Sequence, residues 1–120
     1  MKVNVRVTKS FKTAAKPLFK KYPSLIKELL TLEKDLQLNP RMGTPLGQGV
    51  YKIRIKISSK GRGKSGGARV ISMVETNVIG VAEKLQDCEI VVNLLTIYDK
   101  SDTASISDSE LKELLNSINI

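Results

Sequence analysis

The chain opens with Val3, Val5 and Val7 alternating with polar residues, the period of two that sends every second side chain to one face of a β-strand. After Thr8 the period changes. Phe11, Ala14, Ala15, Leu18, Phe19 and Tyr22 recur at helical spacing, with Lys9, Lys12, Lys16 and Lys20 on the other side, which predicts a basic amphipathic helix. Pro17 is expected to kink or restart that helix, because its ring removes one N–H and clashes with the preceding turn. A second helix is predicted from Pro23, packing by Leu25, Ile26, Leu29, Leu30, Leu32 and Leu36 until Asn39-Pro40 stops it. The two helices are expected to form a hairpin.

The next stretch, "RMGTPLGQG", reads as a turn-rich connector. Strict alternation then returns, with Tyr51, Ile53, Ile55 and Ile57 on one face of a strand and Lys52, Arg54 and Lys56 on the other. A third strand is expected over residues 68 to 75 and a fourth over "CEIVVNLLTIY", separated by the less readable "TNVIGVAEKLQD". Ser107 and Glu110 have capping-box spacing ahead of Leu111, Leu114, Leu115 and Ile118, so a short amphipathic helix is expected at the C-terminal end. The order β-α-α-β-β-β-α describes an α+β domain with helices on one face of its sheet and a basic surface on the other.

Between the second and third strands lies "SSKGRGKSGGARVI", whose Gly-Lys-Ser raises the possibility of a phosphate-binding loop. A Walker A loop needs G-x-x-x-x-G-K followed by Ser or Thr, opening a helix. Counting back from Gly63 places Ser58 at the first glycine, and the following "ARVISMV" is a β-branched run. The pattern therefore fails on spacing and on context. Gly61, Gly63, Gly66 and Gly67 read instead as the flexible tip of a β-hairpin, where positive φ carries no Cβ penalty.

Length and composition narrow the classes further. At 120 residues, 41% hydrophobic and 27% charged, the chain is read as one globular domain over residues 1–120. No apolar run approaches the roughly eighteen residues of a membrane span, and the N-terminus lacks a signal-peptide core, so a soluble cytoplasmic protein is expected. The single Cys88 has no internal disulfide partner. With no histidine and one cysteine, the usual metal-ligand sets and Cys-His or Ser-His nucleophile pairs are not available; no metal and no cofactor are expected.

The formal net charge of +8 suggests a polyanionic partner, and its distribution is more telling than its size. Residues 50 to 70 contain Lys52, Arg54, Lys56, Lys60, Arg62, Lys64 and Arg69 and no acidic residue. A solvated strand face would explain the alternation alone. Several cations without interspersed carboxylates repel one another, however, and a bound polyanion would relieve that repulsion.

The order of elements carries a resemblance, together with "KPLFKKYPSL" early, "YKIRIKI" followed by "GKSGGARVI" in the middle, and "LLTIYDKSD" with "ISDSELKELL" at the end. Over nearly its whole length the chain resembles the HigB-like branch of the RelE/ParE superfamily of bacterial toxins. The resemblance implies a twisted, mainly antiparallel four-stranded sheet with two N-terminal helices packed on one face and a short C-terminal helix. It also implies the toxin of a type II toxin-antitoxin pair, an endoribonuclease that cleaves messenger RNA on the ribosome without a metal, by attack of an RNA 2′-OH on the adjacent phosphate. The catalytic positions carried over are Arg54, Arg69, Tyr98 and Lys100. Lys52, Lys56, Lys60, Arg62 and Lys64 are the expected contacts to RNA and ribosome. The implied partners are messenger RNA on the ribosome, ribosomal RNA and a cognate antitoxin protein, with no membrane.

The residues themselves agree with parts of this. Arginine does not lose its proton at working pH, so Arg54 and Arg69 suit the negative charge developing on a phosphate. Without histidine, proton transfer falls to a tyrosine or to a lysine of lowered pKa, with Lys100 and Lys56 as the lysine candidates. Asp99 and Asp102 flank Lys100, where they could pair with it. Two alternatives stay open: a ParE-like inhibitor of DNA gyrase without RNase activity, and a non-catalytic basic nucleic-acid-binding module. The five aromatic residues give base stacking little support.

Overall fold

A computed structural model describes residues 2–60, 67–78, 88–101 and 106–116. Strand β1 (Lys2–Val7) leads into helices α1 (Lys9–Lys21) and α2 (Leu25–Leu38), followed by strands β2 (Thr44–Gly47) and β3 (Val50–Ile55). After a 3-10 turn at Ser58–Lys60 come β4 (Ala68–Val78), β5 (Cys88–Asp99) and helix α3 (Asp108–Asn116). The strands form one sheet in the order β1-β5-β4-β3-β2, with β1 parallel to β5 and every other pair antiparallel.

The fold is α+β, as the sequence pattern indicates, but the sheet has five strands and not four. The added strand, β2, lies inside the stretch that reads as a connector. It is only four residues long and contains Pro45 and Gly47, so no alternation marks it. Its place at the sheet edge tolerates proline. Gln48 and Gly49 link it to β3 with φ of 55° and 76°, the positive values that a two-residue hairpin connection requires.

Helix α1 runs unbroken through Pro17, contrary to the expected kink or restart. Phe11 and Ala15 before the proline and Leu18 after it are all buried, so packing on the sheet holds both halves in one helix. Thr8 starts the helix and ties it to the sheet: its Oγ1 accepts from the Phe11 amide at 3.2 Å and donates to the Leu94 carbonyl at 2.8 Å. In α2, Leu25, Leu32 and Leu36 are buried, whereas Ile26 and Leu30, expected in the same stripe, are 57% and 55% exposed. The α1 and α2 side of the sheet forms the main core, in which these side chains meet Ile53, Ile55, Ile57, Val70, Val92 and Ile97.

The other face is not the bare basic surface expected. Val50, Ile71 and Leu95 are buried there in a second, smaller cluster, covered by Ile106 and by Leu111, Leu114 and Leu115 of α3. Leu95 falls at an irregularity in the β4–β5 ladder, between the pairs Ile71↔Thr96 and Ser72↔Leu94. The capping box at the start of α3 forms as its spacing predicts: Ser107 Oγ accepts from the Glu110 amide at 3.2 Å and donates to Glu110 Oε1 at 2.9 Å. Ile118, assigned to the same helix, lies outside the described residues.

The segment after Gly-Lys-Ser is strand β4, so no helix opens there. Gly67 has a different role from the one its place in a hairpin tip suggests. A Cβ at this position would lie 2.0 Å from the Ile55 carbonyl oxygen, so close backbone approach, not positive φ, demands glycine. Among the described residues, no helix is long and apolar enough to cross a membrane.

Candidate functional site

Alternation along β3 and β4 and the register between them decide which cations meet. Arg54 on β3 stands directly opposite Arg69 on β4, and Arg69 stands opposite Tyr98 on β5. Three of the four residues assigned to catalysis therefore form a row across adjacent strands, spanning roughly 10 Å at the usual strand spacing. Lys52 stands one step along the same face, opposite Ile71. Lys100, the fourth, extends the β4–β5 ladder past the strand end, its amide donating to the Gly67 carbonyl at 3.1 Å.

The row is unevenly exposed. Arg54 is exposed and Lys52 half-buried, while Arg69 is only 4% exposed and its Nη1 donates to the Ala68 carbonyl at 3.2 Å. Tyr98 is half-buried, and its hydroxyl is shut off from solvent without a hydrogen-bond partner in good geometry. Burial raises the Tyr98 pKa above the usual 10.0, against the lowering effects of the Arg69 charge and the Ile106 backbone amide. The phenol consequently keeps its proton at neutral pH and can act as a donor.

Tertiary structure also changes the charge picture that residues 50 to 70 present alone. Lys56 lies beyond the end of β3, where it shares with Arg54 a hollow of about 270 Å³ that is also lined by Glu28 and Asp35 of α2. The Glu28 carboxylate accepts from the Ser58 amide at 2.7 Å and pins the turn that follows β3. At the far end of the row, Tyr98 and Thr96 line a cavity of about 400 Å³ with Glu110 and Glu113 of α3. The expected all-cationic face thus has carboxylates at both ends. Sequence reading missed these four acids because each is remote along the chain from the cations it approaches.

Asp99 is buried and faces the helical side, where its Oδ2 accepts from the Tyr22 hydroxyl at 2.5 Å and its Oδ1 from the Ser101 amide at 2.9 Å. This fixes the end of β5 immediately beside Tyr98 and Lys100. Lys60 closes the 3-10 turn; Arg62, Lys64 and Asp102 lie outside the described residues. Among the described residues, no three acidic or cysteine side chains converge to hold a metal ion.

Elsewhere lies a groove of about 570 Å³ between α1, α2 and β1, lined by Phe11, Phe19, Ile26, Leu29 and Leu30 and rimmed by Lys12 and Lys16. It is a mainly apolar hollow, with Thr13 and Glu33 also in its lining, and the basic row does not border it. No protein-family model matches this sequence.

Proposed function

We propose that the chain is the toxin of a type II toxin-antitoxin pair of the RelE/ParE superfamily, in its HigB-like branch, and that it cleaves messenger RNA on the ribosome by metal-independent attack of a 2′-OH on the adjacent phosphate. The observation that carries this reading is the cross-strand row Arg54, Arg69 and Tyr98, with Lys100 at its end. Two arginines opposite each other in register suit the non-bridging oxygens of one phosphate, where charge accumulates as the 2′-oxygen adds. Tyr98, kept protonated by burial, suits donation to the leaving 5′-oxygen. Lys100 or Lys56, in its neutral amine form, would then accept the proton from the 2′-OH. Lys52, Lys56 and Lys60 would guide the RNA backbone, and the net charge of +8 would speed its approach to an RNA-rich particle. The cytoplasm, the ribosome and an antitoxin protein as partner belong to the same reading.

The test is to incubate purified protein with translating ribosomes and map the RNA ends. Products with a 2′,3′-cyclic phosphate and a 5′-OH, formed in the presence of EDTA on a metal-independent substrate, are expected. Ends bearing a 5′-phosphate, or full activity in an Arg69→Ala, Tyr98→Phe double variant, would place the chemistry elsewhere. Inhibition of DNA gyrase with intact messenger RNA would move the chain to the ParE-like reading.

One observation favours a second reading, a non-catalytic basic nucleic-acid-binding module. Arg69 and the Tyr98 hydroxyl are covered while Arg54 and Lys56 are exposed, so a phosphate could dock on the open cations alone. RNA binding with a steep salt dependence, about −0.7 in log-log slope per phosphate contacted, but without any cleavage, would select it.

A further inference from the structure

Helix α3 lies against the half of the basic face where the row ends, and its chemistry differs from that of the rest of the chain. It carries Asp108, Glu110 and Glu113 against a single Lys112, within a protein of net charge +8. Glu110 and Glu113, though exposed, line the same cavity as Tyr98, with Ile106 and Leu114.

The attachment of α3 is light. None of its residues is buried, and its apolar contacts to the sheet come from the half-buried Leu111, Leu114 and Leu115. Its helical start is secured locally by the Ser107–Glu110 capping box, so it does not depend on the sheet for that support. Segments with few buried apolar contacts are the ones that open most readily. Beneath it, the Tyr98 hydroxyl is out of contact with solvent; Arg69, opposite Tyr98 in the ladder, is 4% exposed.

We propose that α3 is a displaceable acidic cap: the protein holds part of its basic row closed beneath α3, and an RNA phosphate takes that part only when α3 has lifted from Tyr98. Glu110 and Glu113 hold negative charge where the phosphate would sit, so cap and RNA compete. The inference rests on the RNA reading for the identity of the competitor, and on the packing of α3 alone for the existence of the cap. Apparent affinity for RNA is then reduced by the fraction of molecules that are open.

Two measurements on the full chain test it. The first is the rate of nitration of Tyr98 by tetranitromethane, followed at the peptide level by mass spectrometry. The second is binding of a short fluorescent 2′-O-methyl RNA, which 2′-OH attack does not cleave. Leu114→Ser, with circular dichroism unchanged, should raise Tyr98 nitration about tenfold and tighten RNA binding about threefold to tenfold, as expected for opening a site that is mostly closed. Glu113→Gln should tighten RNA binding about twofold at low salt.

Unchanged nitration in Leu114→Ser overturns the cap whatever the RNA result. Faster nitration with weaker RNA binding also overturns it, because α3 would then be part of the RNA contact. Where Leu114→Ser unfolds the chain, Glu113→Gln decides alone, and affinity equal to the wild type overturns the proposal. Absence of RNA binding in every variant and in the wild type defeats RNA as the competitor, and the nitration rates still decide whether α3 covers Tyr98.

Discussion

The two faces of the sheet are built to different standards. On the α1 and α2 side, Leu25 and Leu36 are 0% exposed, and the core extends from Phe11 to Ile97 with the buried Tyr22–Asp99 hydrogen bond at its margin. On the α3 side, three half-buried leucines close a small cluster, and the face includes the buried Arg69 and Asn93, whose Oδ1 has no hydrogen-bond partner. Close packing disfavours a polar group that needs a partner from outside, so the side that holds the chain together is poorly suited to binding a phosphate. The thinly covered side can hold cations in a row because it has less apolar surface to protect.

Core truncation should divide the two faces most sharply. Leu36→Ala leaves a hole in the main core and is expected to cost about 2–5 kcal/mol in urea unfolding, while Leu115→Ala on α3 should cost less than about 1.5 kcal/mol. Equal losses would break the comparison. Next comes chemistry: if the chain has the proposed RNase activity, Arg69→Ala should lower RNA cleavage by about 10² to 10³, with Arg69→Lys restoring only part, since a point charge replaces a fork. A main-core variant such as Leu36→Ala should not reproduce that loss at a temperature where it stays folded.

A buried hydrogen bond gives a smaller effect. Tyr22→Phe leaves the Asp99 carboxylate without its phenol donor and should destabilise the chain by about 1.5–3 kcal/mol. A loss below about 0.5 kcal/mol would show that the carboxylate finds another donor readily.

The smallest expected effect concerns pH. Burial raises the Tyr98 pKa above 10.0, so the native chain keeps a proton that the unfolded chain releases. The stability this contributes is fully present below a pH of about 10 and is lost as pH rises through the higher folded value. Unfolding free energy should therefore fall above pH 10 more steeply in the wild type than in Tyr98→Phe, in which the other tyrosines and the lysines still titrate. Matching slopes would mean that α3 does not desolvate the phenol.

Much of the architecture was legible. The periods of two and 3.6 located both long helices and the strands around Val3–Val7, Tyr51–Ile57 and Cys88–Tyr98, and Ser107–Glu110 marked the last helix. Residues 44–47 were missed because an edge strand with proline and glycine needs only backbone pairing, which leaves no side-chain rhythm to read. Pro17 misled in the opposite sense: its local cost is real, but Ala15 and Leu18 pack on either side of it and override that cost. Ile26 and Leu30 fit the helical stripe but line an open groove, since spacing reveals which side chains share a helix face and not how far the sheet extends beneath them.

The candidate site divides the same way. That Lys52 and Arg54 share a face follows from the backbone alone, because side chains alternate along any strand whatever it packs against. That Arg54, Arg69 and Tyr98 form one row depends on the register of three strands, which the local sequence constrains only weakly. The neighbouring acids were further out of reach. Glu28, Asp35, Glu110 and Glu113 come from two helices far along the chain, and only packing brings their charges beside Arg54, Lys56 and Tyr98. The sequence by itself determined the charge run and the strand that displays it. Tertiary structure decided which cations are covered and which acids stand near them, because burial and Coulomb interaction depend on distance through space, which chain separation does not record.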